Sequence, residues 1–327
     1  MASSNQYLLR LCSLNLHGFN NSSLYLHDLC SFNDIICVQE HWLMSSQLHK
    51  FNKIHDDFTF YGCSVVDSVC SMGILRGRPF GGVGFLYRKL LPIKIGFAGY
   101  HSDGRIIAIT LDCVNTSILL FCLCLPCDNG DQHYCDTLSD IFGFIESVAE
   151  CYAGYKCMIL GDFNFECVVS NRGFKEFLPV INNLNLTVCD SLDVNSVGFT
   201  YAHASLDHRS LIDHVFVNSD LLPVINDYKI LHDATNLSDH LPVVFSIPVV
   251  ATAHSTSQPK MPVYEFRWDK GDLAKFYNYS GDLLSRIQHQ FACVSYDSVC
   301  GQESCSLDID IYYGEIVHCL IFFFSCA

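Results

Sequence analysis

Polar side chains occur where several short apolar runs of this chain come to an end. Asn15 closes the first such run, and Glu40 closes the second, in the sequence IICVQE. Asp162 and Asn164 follow a third run immediately, in the sequence GDFN. The ends of neighbouring strands meet along one edge of a layered α/β protein, and this edge is the usual place for a functional site. We therefore expect these four side chains to lie close together.

Two further segments supply ionisable groups. Asp213 lies within LIDHVFVN, while Asp239 and His240 lie in SDH, just before another apolar run. Glu40 and Asp239 provide hard anionic oxygens, which suit Mg²⁺, with Mn²⁺ as the alternative ion. The sequence therefore predicts a divalent-metal site, and we expect no small-molecule cofactor.

Cleavage of a phosphate ester would use all of these groups. It requires a water aligned with the leaving oxygen, and a cation and hydrogen-bond donors for the phosphoryl oxygens. Asp162 can orient or deprotonate the water, while Asn15 and Asn164 can donate amide N–H groups or assist the metal. His240 can donate to a phosphoryl oxygen, and Asp213 can hold its ring and raise its pKa. We expect this aspartate–histidine pair to titrate as a coupled unit.

Each short motif also has a plainer interpretation. GDFN alone is typical of an ordinary strand-to-turn junction, and SDH alone is typical of a cap or surface turn. Their occurrence together with Glu40 and Asp213 favours a catalytic site. Four closely spaced cysteines raise the alternative of a zinc site: Cys122, Cys124, Cys127 and Cys135. Their spacing matches no standard zinc pattern. Cys122 and Cys124 also share one face of an apolar strand, where cysteine behaves as a small apolar residue.

Apolar runs rich in β-branched and aromatic residues predict the strands that position these groups, at 7–16, 35–38, 82–91, 105–111, 117–125, 157–160, 211–217 and 241–247. Wider apolar spacing predicts amphipathic helices at 134–152 and 173–182. Many strands with a few interleaved helices indicate an α/β (α+β) fold of stacked sheets with helices outside. A composition rich in Ala, Thr, Ser and Pro predicts a linker at 251–262, which separates a main domain at 1–250 from a partly helical extension at 263–327.

Composition narrows the class of protein. The formal net charge of −15 argues against broad non-specific binding to phosphates, so nucleic acid would have to meet a local basic patch or a metal. Nineteen cysteines without a repeated spacing, and an amino terminus that lacks the pattern of a signal peptide, favour an intracellular protein with reduced thiols. No apolar run approaches the length of a membrane span, so we expect no membrane partner.

An ordered set of motifs carries a family resemblance over about residues 7–247. SLNLHG, VQEHW, GGVGFLYRK, LPCD, GDFN, SLIDH and SDHLPVV occur in the order found in the endonuclease/exonuclease/phosphatase superfamily. Within it, the chain most resembles the apurinic/apyrimidinic-type endonuclease domain of non-LTR (LINE-type) retrotransposons. The segment WDKGDL in the extension resembles the region that precedes reverse transcriptase in such polyproteins. The resemblance implies a four-layer sandwich of two stacked mixed β-sheets flanked by helices, and a metal-dependent DNA nick that leaves a 3′-hydroxyl.

The same resemblance implies roles for individual residues. Glu40 becomes the main metal ligand, assisted by Asn15 and Asp239. The groups around the attacking water are Asp162 and Asn164, while His240 contacts the scissile phosphate and Asp213 orients it.

Two positions depart from the pattern of the family. Cys124 stands where relatives commonly carry a tyrosine whose hydroxyl approaches the phosphate, and a thiol is a weaker donor with a different reach. We therefore expect weakened activity. Tyr201, in GFTYAH, stands where many relatives carry tryptophan, and we expect it to contact DNA.

Basic residues predict where DNA would bind. The stretch from Cys70 to Ser102 contains five of them and no acidic residue, and its glycines allow close approach of the backbone: Arg76, Arg78, Arg88, Lys89 and Lys94. Arg209, just before SLIDH, is a further candidate. The plainer interpretation of the stretch is a solvated loop and strand edge.

Three functions stay open at this level. The first is a Mg²⁺-dependent DNA endonuclease of retrotransposon origin, with access to the nucleus if it acts on genomic DNA. The second is a phosphodiesterase or phosphatase that acts on RNA, inositol phosphate or phospholipid with the same site. The third is a weakened remnant that acts as a binding protein. The sequence does not indicate the oligomeric state or a target sequence in DNA.

Overall fold

The computed structural model describes residues 6–65, 81–203, 205 and 207–251. The predicted extension at 263–327, and all but the first residue of the predicted linker at 251–262, lie outside this range. Arg76 and Arg78 also lie outside it.

Two six-stranded mixed sheets form the centre of the fold. In spatial order, the first sheet consists of β13 (Asn226–Ile230), β14 (Val243–Val250), β1 (Gln6–Asn15), β2 (Ile35–Gln39), β4 (Val83–Arg88) and β3 (Phe58–Cys63). The second sheet consists of β5 (Lys94–Tyr100), β6 (Ile106–Asp112), β7 (Ser117–Cys124), β8 (Lys156–Asp162), β12 (Asp213–Asn218) and β9 (Leu186–Val188). A separate hairpin is formed by β10 (Tyr201–His203) and β11 (His208–Ser210).

Helices cover the outer faces of both sheets. They are α1 (Phe19–Cys30) on the first sheet, and α2 (Gln132–Cys151) and α3 (Arg172–Asn183) on the second. Short 3₁₀ segments occur at Ser45–Lys53, Asp190–Leu192 and Leu222–Val224. The start of α2 has a clear cause, because the side chain of Asp131 accepts a hydrogen bond from the backbone N–H of Tyr134 at 2.8 Å.

The main core lies between the two sheets. Leu11 and Ile35 of the first sheet and Leu120 and Leu160 of the second belong to one buried apolar cluster. The central strands are buried on both faces, and this explains why they appear in the sequence as nearly continuous apolar runs rather than as alternating patterns. The predicted four-layer sandwich is confirmed.

Strand register brings the polar ends together. β1 and β2 run parallel with Asn15 opposite Gln39, so Glu40 follows directly at the same edge. In the second sheet, Asp162 lies opposite Cys124 on one side and opposite Asp213 on the other. Both sheets thus present polar residues at the ends of parallel strands.

A glycine permits the close approach of strands at this edge. Gly161 has a φ of 147°, and a Cβ atom there would lie 1.9 Å from the carbonyl oxygen of Leu123. Only glycine can occupy this position without displacing β7, which carries Cys124.

Candidate active site

A cleft of about 700 Å³ opens where β1, β7 and β8 end. Eight of the residues singled out in the sequence line it: Asn15, Glu40, Cys124, Asp162, Asn164, Tyr201, Asp239 and His240. Asp213 joins the group through its hydrogen bond to His240. Residues that are as far apart as 225 positions in the sequence therefore meet in one place.

Asp213, His240 and Asp162 form a buried row. Nδ1 of His240 lies 2.8 Å from Oδ2 of Asp213, and Nε2 lies 3.9 Å from Oδ2 of Asp162. Backbone contacts fix the loop, since the N–H of His240 donates to Oγ of Ser238, and this hydroxyl donates to the carbonyl oxygen of Asn15. The imidazole is therefore oriented by one carboxylate and faces a second.

Opposing effects set the pKa values of His240 and Asp162. Burial by itself would lower the pKa of His240, but Asp213 and then Asp162 raise it to about 9. Burial raises the pKa of Asp162 to about 7, and His240 acts in the opposite direction. Near pH 8 the row can therefore contain a protonated imidazole beside an ionised carboxylate.

Three amide donors hold the carboxylate of Asp162. Nδ2 of Asn15 donates to Oδ2 at 2.9 Å, the backbone N–H of Asn164 donates to Oδ1 at 2.9 Å, and Nδ2 of Asn164 donates to Oδ2 at 3.2 Å. Nδ2 of Asn164 also donates to the carbonyl oxygen of Leu125. The backbone of Asn164 is left-handed, with a φ of 52°, which places its side chain and backbone N–H on the same carboxylate.

Glu40 and Asp239 are the carboxylates that the sequence predicts as ligands of a divalent metal, and both line the cleft. Oε2 of Glu40 accepts hydrogen bonds from Nε1 of Trp42 at 2.7 Å and from the backbone N–H of Gly81 at 3.0 Å. Oδ1 of Asp239 lies 2.5 Å from Nδ1 of His17. Burial by itself would raise the pKa of Asp239, but His17 and then His240 lower it, so this carboxylate stays ionised. Two oriented anionic groups on one cleft fit the oxygen donor set that Mg²⁺ prefers.

Cys124 lies between the two groups of acidic residues. Its Sγ atom is 3.4 Å from Oε1 of Glu40 and 4.0 Å from Oδ2 of Asp162. Burial, reinforced by both carboxylates, raises the pKa of this thiol well above its ordinary value. Cys124 therefore stays a neutral, weak donor at the position predicted from the sequence.

A second group of metal-ligand types lies beside the cleft at Cys167, Asp190 and His214. Nδ1 of His214 is 2.7 Å from Oδ2 of Asp190, and Nε2 is 2.8 Å from the carbonyl oxygen of Phe165. Burial by itself would lower the pKa of His214, but the hydrogen bond with Asp190 raises it well above its ordinary value. Because both ring nitrogens act as donors in that state, we interpret this group as a buried ion pair that anchors the loop after GDFN.

The predicted DNA-binding cations separate in space. Arg88 and Lys89 lie at the far end of β4, whose other end pairs with Gln39 near the cleft. Arg88 donates to the fully buried Asp34, which Arg10 also contacts. The structure thus does not bring Arg88 and Lys89 to the cleft. Lys94 is the first residue of β5, the edge strand of the second sheet.

The hairpin forms one wall of the cleft. Tyr201 forms an isolated β-bridge to His240, and their ring centroids are 5.0 Å apart. Arg209 is exposed on the partner strand, with its guanidinium over the ring of Phe199 at 4.8 Å. These two predicted DNA contacts therefore lie on the same small element next to the site.

Three polar residues of the cleft with contacts to its other groups, Arg105, Trp42 and His17, were not among the predicted site residues. Arg105 lines it, and its Nη1 atom lies 3.5 Å from the carbonyl oxygen of Cys124. Arg105 lies just before β6, and a single arginine there carries no signal of this placement. Trp42, which contacts Glu40, could have been noticed from its position two residues later, whereas the contact of His17 with Asp239 links positions 222 residues apart.

Comparisons with known proteins agree with the fold. The model of the Endonuclease/Exonuclease/phosphatase family matches residues 12–240. No curated protein matches the chain by sequence. Within the described residues, no helix is long and apolar enough to cross a membrane.

Solved structures share the fold at low identity. The endonuclease domain of TRAS1, a telomere-specific non-LTR retrotransposon, has a TM-score of 0.52 and 14% identity, covering 74% of this chain and 98% of its own. The 3′ phosphatase NExo from Neisseria, bound to a product DNA hairpin, has a TM-score of 0.56 and 15% identity, with 73% and 99% covered. The AP endonuclease LMAP from Leishmania major has a TM-score of 0.57 and 13% identity, with 73% and 87% covered.

Proposed function

The chain belongs to the endonuclease/exonuclease/phosphatase family, and from this premise we propose that it is a divalent-metal-dependent DNA endonuclease of retrotransposon origin. It nicks a phosphodiester by direct attack of water and leaves a 3′-hydroxyl end. The observation that carries the proposal is the row of Asp213, His240 and Asp162 beside Glu40 in a single cleft. The likeness to the retrotransposon endonuclease domain supports the assignment of origin.

The acidic groups divide the chemistry between them. Glu40 and Asp239, assisted by Asn15, would hold Mg²⁺ or Mn²⁺, and the bound ion would supply positive charge against the phosphoryl oxygens. Asp162 orients the attacking water and accepts its proton. Its pKa of about 7 suits this task, because the carboxylate is ionised above neutrality yet remains basic enough to accept a proton. No covalent intermediate is required.

Protonated His240 donates to a non-bridging phosphoryl oxygen. Asp213 keeps the imidazole charged and fixes its orientation, so the donor is already in place when negative charge develops on the phosphate. Asn164 donates to Asp162 and so helps to hold the carboxylate that accepts the proton of the water. Arg105 offers a guanidinium on the cleft wall, and the hairpin with Tyr201 and Arg209 is the surface on which we place the DNA.

Nicking of supercoiled plasmid DNA tests the proposal. With Mg²⁺ we expect conversion to the relaxed circle, and none with EDTA. The variants Glu40→Gln and His240→Asn should abolish it, while His49→Ala, at an exposed 3₁₀ position, should nick like the wild type. Extension of the nicked strand by a DNA polymerase would identify the 3′-hydroxyl. A wild-type protein that relaxes no plasmid with Mg²⁺ or Mn²⁺ would contradict the proposal.

A phosphatase or phosphodiesterase acting on another phosphoester is the second candidate. The likeness to a 3′ phosphatase from Neisseria favours it, because the same row of side chains can direct a water molecule at a terminal phosphate. A panel of RNA, 3′-phosphorylated DNA, inositol phosphates and phospholipid headgroups separates the two. Faster turnover of one of these than of plasmid DNA would establish the second candidate.

A weakened remnant that binds without cleaving is the third candidate, and Cys124 is the observation behind it. If neither the wild type nor Cys124→Tyr nicks DNA, while both bind it, this candidate is the right one. Action on genomic DNA would further require access to the nucleus.

A further inference from the structure

Two residues that lie side by side in space, His17 and Trp42, form hydrogen bonds with all three proposed metal ligands. The backbone N–H of His17 donates to Oδ1 of Asn15 at 3.0 Å, and Nδ1 of His17 lies 2.5 Å from Oδ1 of Asp239. Nε1 of Trp42 donates to Oε2 of Glu40 at 2.7 Å.

The two aromatic rings also contact each other. Their centroids are 4.9 Å apart with an interplanar angle of 70°, which is an edge-to-face arrangement. A continuous path therefore runs from Asp239 through His17 and Trp42 to Glu40. Its ends are the two carboxylates that we propose as metal ligands, and these belong to different loops of the chain.

The backbone at this path is held in an uncommon conformation. His17, Glu40 and Trp42 all have left-handed φ angles, at 44°, 53° and 59°. Non-glycine residues adopt this region rarely, and they keep it only when the surroundings determine it strongly. Here the N–H of Gly18 donates to the carbonyl oxygen of Glu40 at 2.9 Å, which ties the two loops together.

Gly18 shows how closely the loops approach. A Cβ atom at this position would lie 2.7 Å from the indole ring of Trp42. The ring of Trp42 thus packs directly on the backbone next to His17.

We propose that His17 and Trp42 form a bracket that positions Glu40 and Asp239 for a divalent metal, as positioning residues rather than ligands. Two carboxylates on one cleft repel each other and would rotate apart, whereas an oriented N–H donor on each holds the geometry that the ion needs. This inference rests on the metal site of the proposed function.

Binding of Mn²⁺ in the absence of DNA tests the bracket, with free Mn²⁺ measured by electron paramagnetic resonance. His17→Asn places an N–H near the position of Nδ1, whereas His17→Gln extends it beyond that point, toward Nε2. Both variants are polar and leave little cavity. We expect Gln to weaken Mn²⁺ binding by about tenfold, because contacts of this kind are worth about 10- to 100-fold in metal affinity, and we expect Asn to restore most of it.

Trp42→Phe keeps an aromatic ring at this position, removes the indole N–H and is smaller than the indole. It should weaken Mn²⁺ binding by about tenfold through the loss of the contact with Glu40. His49→Ala is the matched control and should bind Mn²⁺ like the wild type. Thermal unfolding of each variant establishes that it is folded at the temperature of the titration.

Two results would overturn the bracket. In the first, Trp42→Phe and His17→Gln bind Mn²⁺ as tightly as the wild type. In the second, His17→Asn is as weak as His17→Gln, which would make His17 a ligand through its other ring nitrogen. Failure of the proposed function looks different, because the wild type would then bind Mn²⁺ in a manner that depends on the bracket and still nick no DNA.

Discussion

Replacement of Asp213 by asparagine should narrow the pH range of activity from its alkaline side. Oδ2 of Asp213 lies 2.8 Å from Nδ1 of His240, and both side chains are buried. Burial by itself would lower the pKa of His240, and Asp213 is the largest of the influences that raise it to about 9. The Asp213→Asn variant keeps the shape of the side chain and removes the charge.

The size of the effect follows from the structure. A pKa of about 9 instead of the ordinary 6.5 corresponds to roughly 3 kcal/mol in favour of the imidazolium. Without the charge of Asp213, burial is opposed mainly by Asp162, and we expect the pKa of His240 to fall. With a pKa of about 9, roughly nine tenths of His240 is protonated at pH 8, and we expect a smaller fraction in the variant.

The roles of Asp162 and His240 determine whether activity rises or falls with pH. Asp162 must be ionised, so activity rises as the pH passes about 7. His240 must be protonated, so activity falls as the pH passes about 9. The wild type should therefore be most active between these values, whereas in Asp213→Asn the fall on the alkaline side begins at lower pH.

Plasmid nicking between pH 6 and 10 at saturating Mg²⁺ measures the acidic and the alkaline limb of the pH profile of activity. Histidine NMR of the metal-free protein follows His240 directly, with His240→Asn used to assign its signal. Asp190→Asn is the matched control, because it removes the partner of a different buried histidine, His214, outside the cleft. If Asp213→Asn and the wild type share one alkaline limb and one pKa for His240, the assigned role of Asp213 is wrong.

Three further changes test other parts of the structure. Cys124→Tyr should raise the nicking rate by about tenfold or more, because a hydroxyl replaces a weak donor beside the phosphate, and equal rates for Cys124→Phe would contradict this reason. Arg88→Ala should lower the free energy of unfolding in urea by about 2 kcal/mol, because Asp34 keeps only one of its two arginine partners, and it should leave DNA affinity unchanged. Weaker DNA binding at unchanged stability would instead support the sequence prediction for Arg88. Arg105→Ala should weaken DNA binding and reduce its salt dependence by about one counterion, a larger effect than that of Arg209→Ala, and binding titrations at several salt concentrations decide between them.

Local physical chemistry made much of the fold readable from the sequence. Strands buried on both faces appear as continuous apolar runs, so β1, β7, β8 and β14 were predicted within a few residues. The helices α2 and α3 show regular apolar spacing and were predicted nearly at their bounds. The first helix, α1, was missed, since asparagines and serines fill its first turns.

The candidate site could be predicted in its members but not in its contacts. Side chains such as Asn15, Glu40 and Asp162 stand at the ends of strands, and this position is a property of the sequence. Which oxygen faces which donor depends on the parallel pairing of β1 with β2 and of β7 with β8, and on the packing of one sheet against the other. Nothing in the local sequence encodes these pairings.

The predicted DNA-binding cations show most clearly what the sequence predicts and what it does not. Arg88 and Lys89 belong to a basic stretch, and the sequence alone predicted that they would contact DNA. Antiparallel pairing with β2 places them at the far end of β4, where Arg88 contacts the buried Asp34. Arg105, which the sequence did not single out, lines the cleft instead. The sequence by itself determined which elements form and which chemical groups they carry. Only the tertiary structure decided which groups meet, because burial and strand register act between segments that are far apart in the chain.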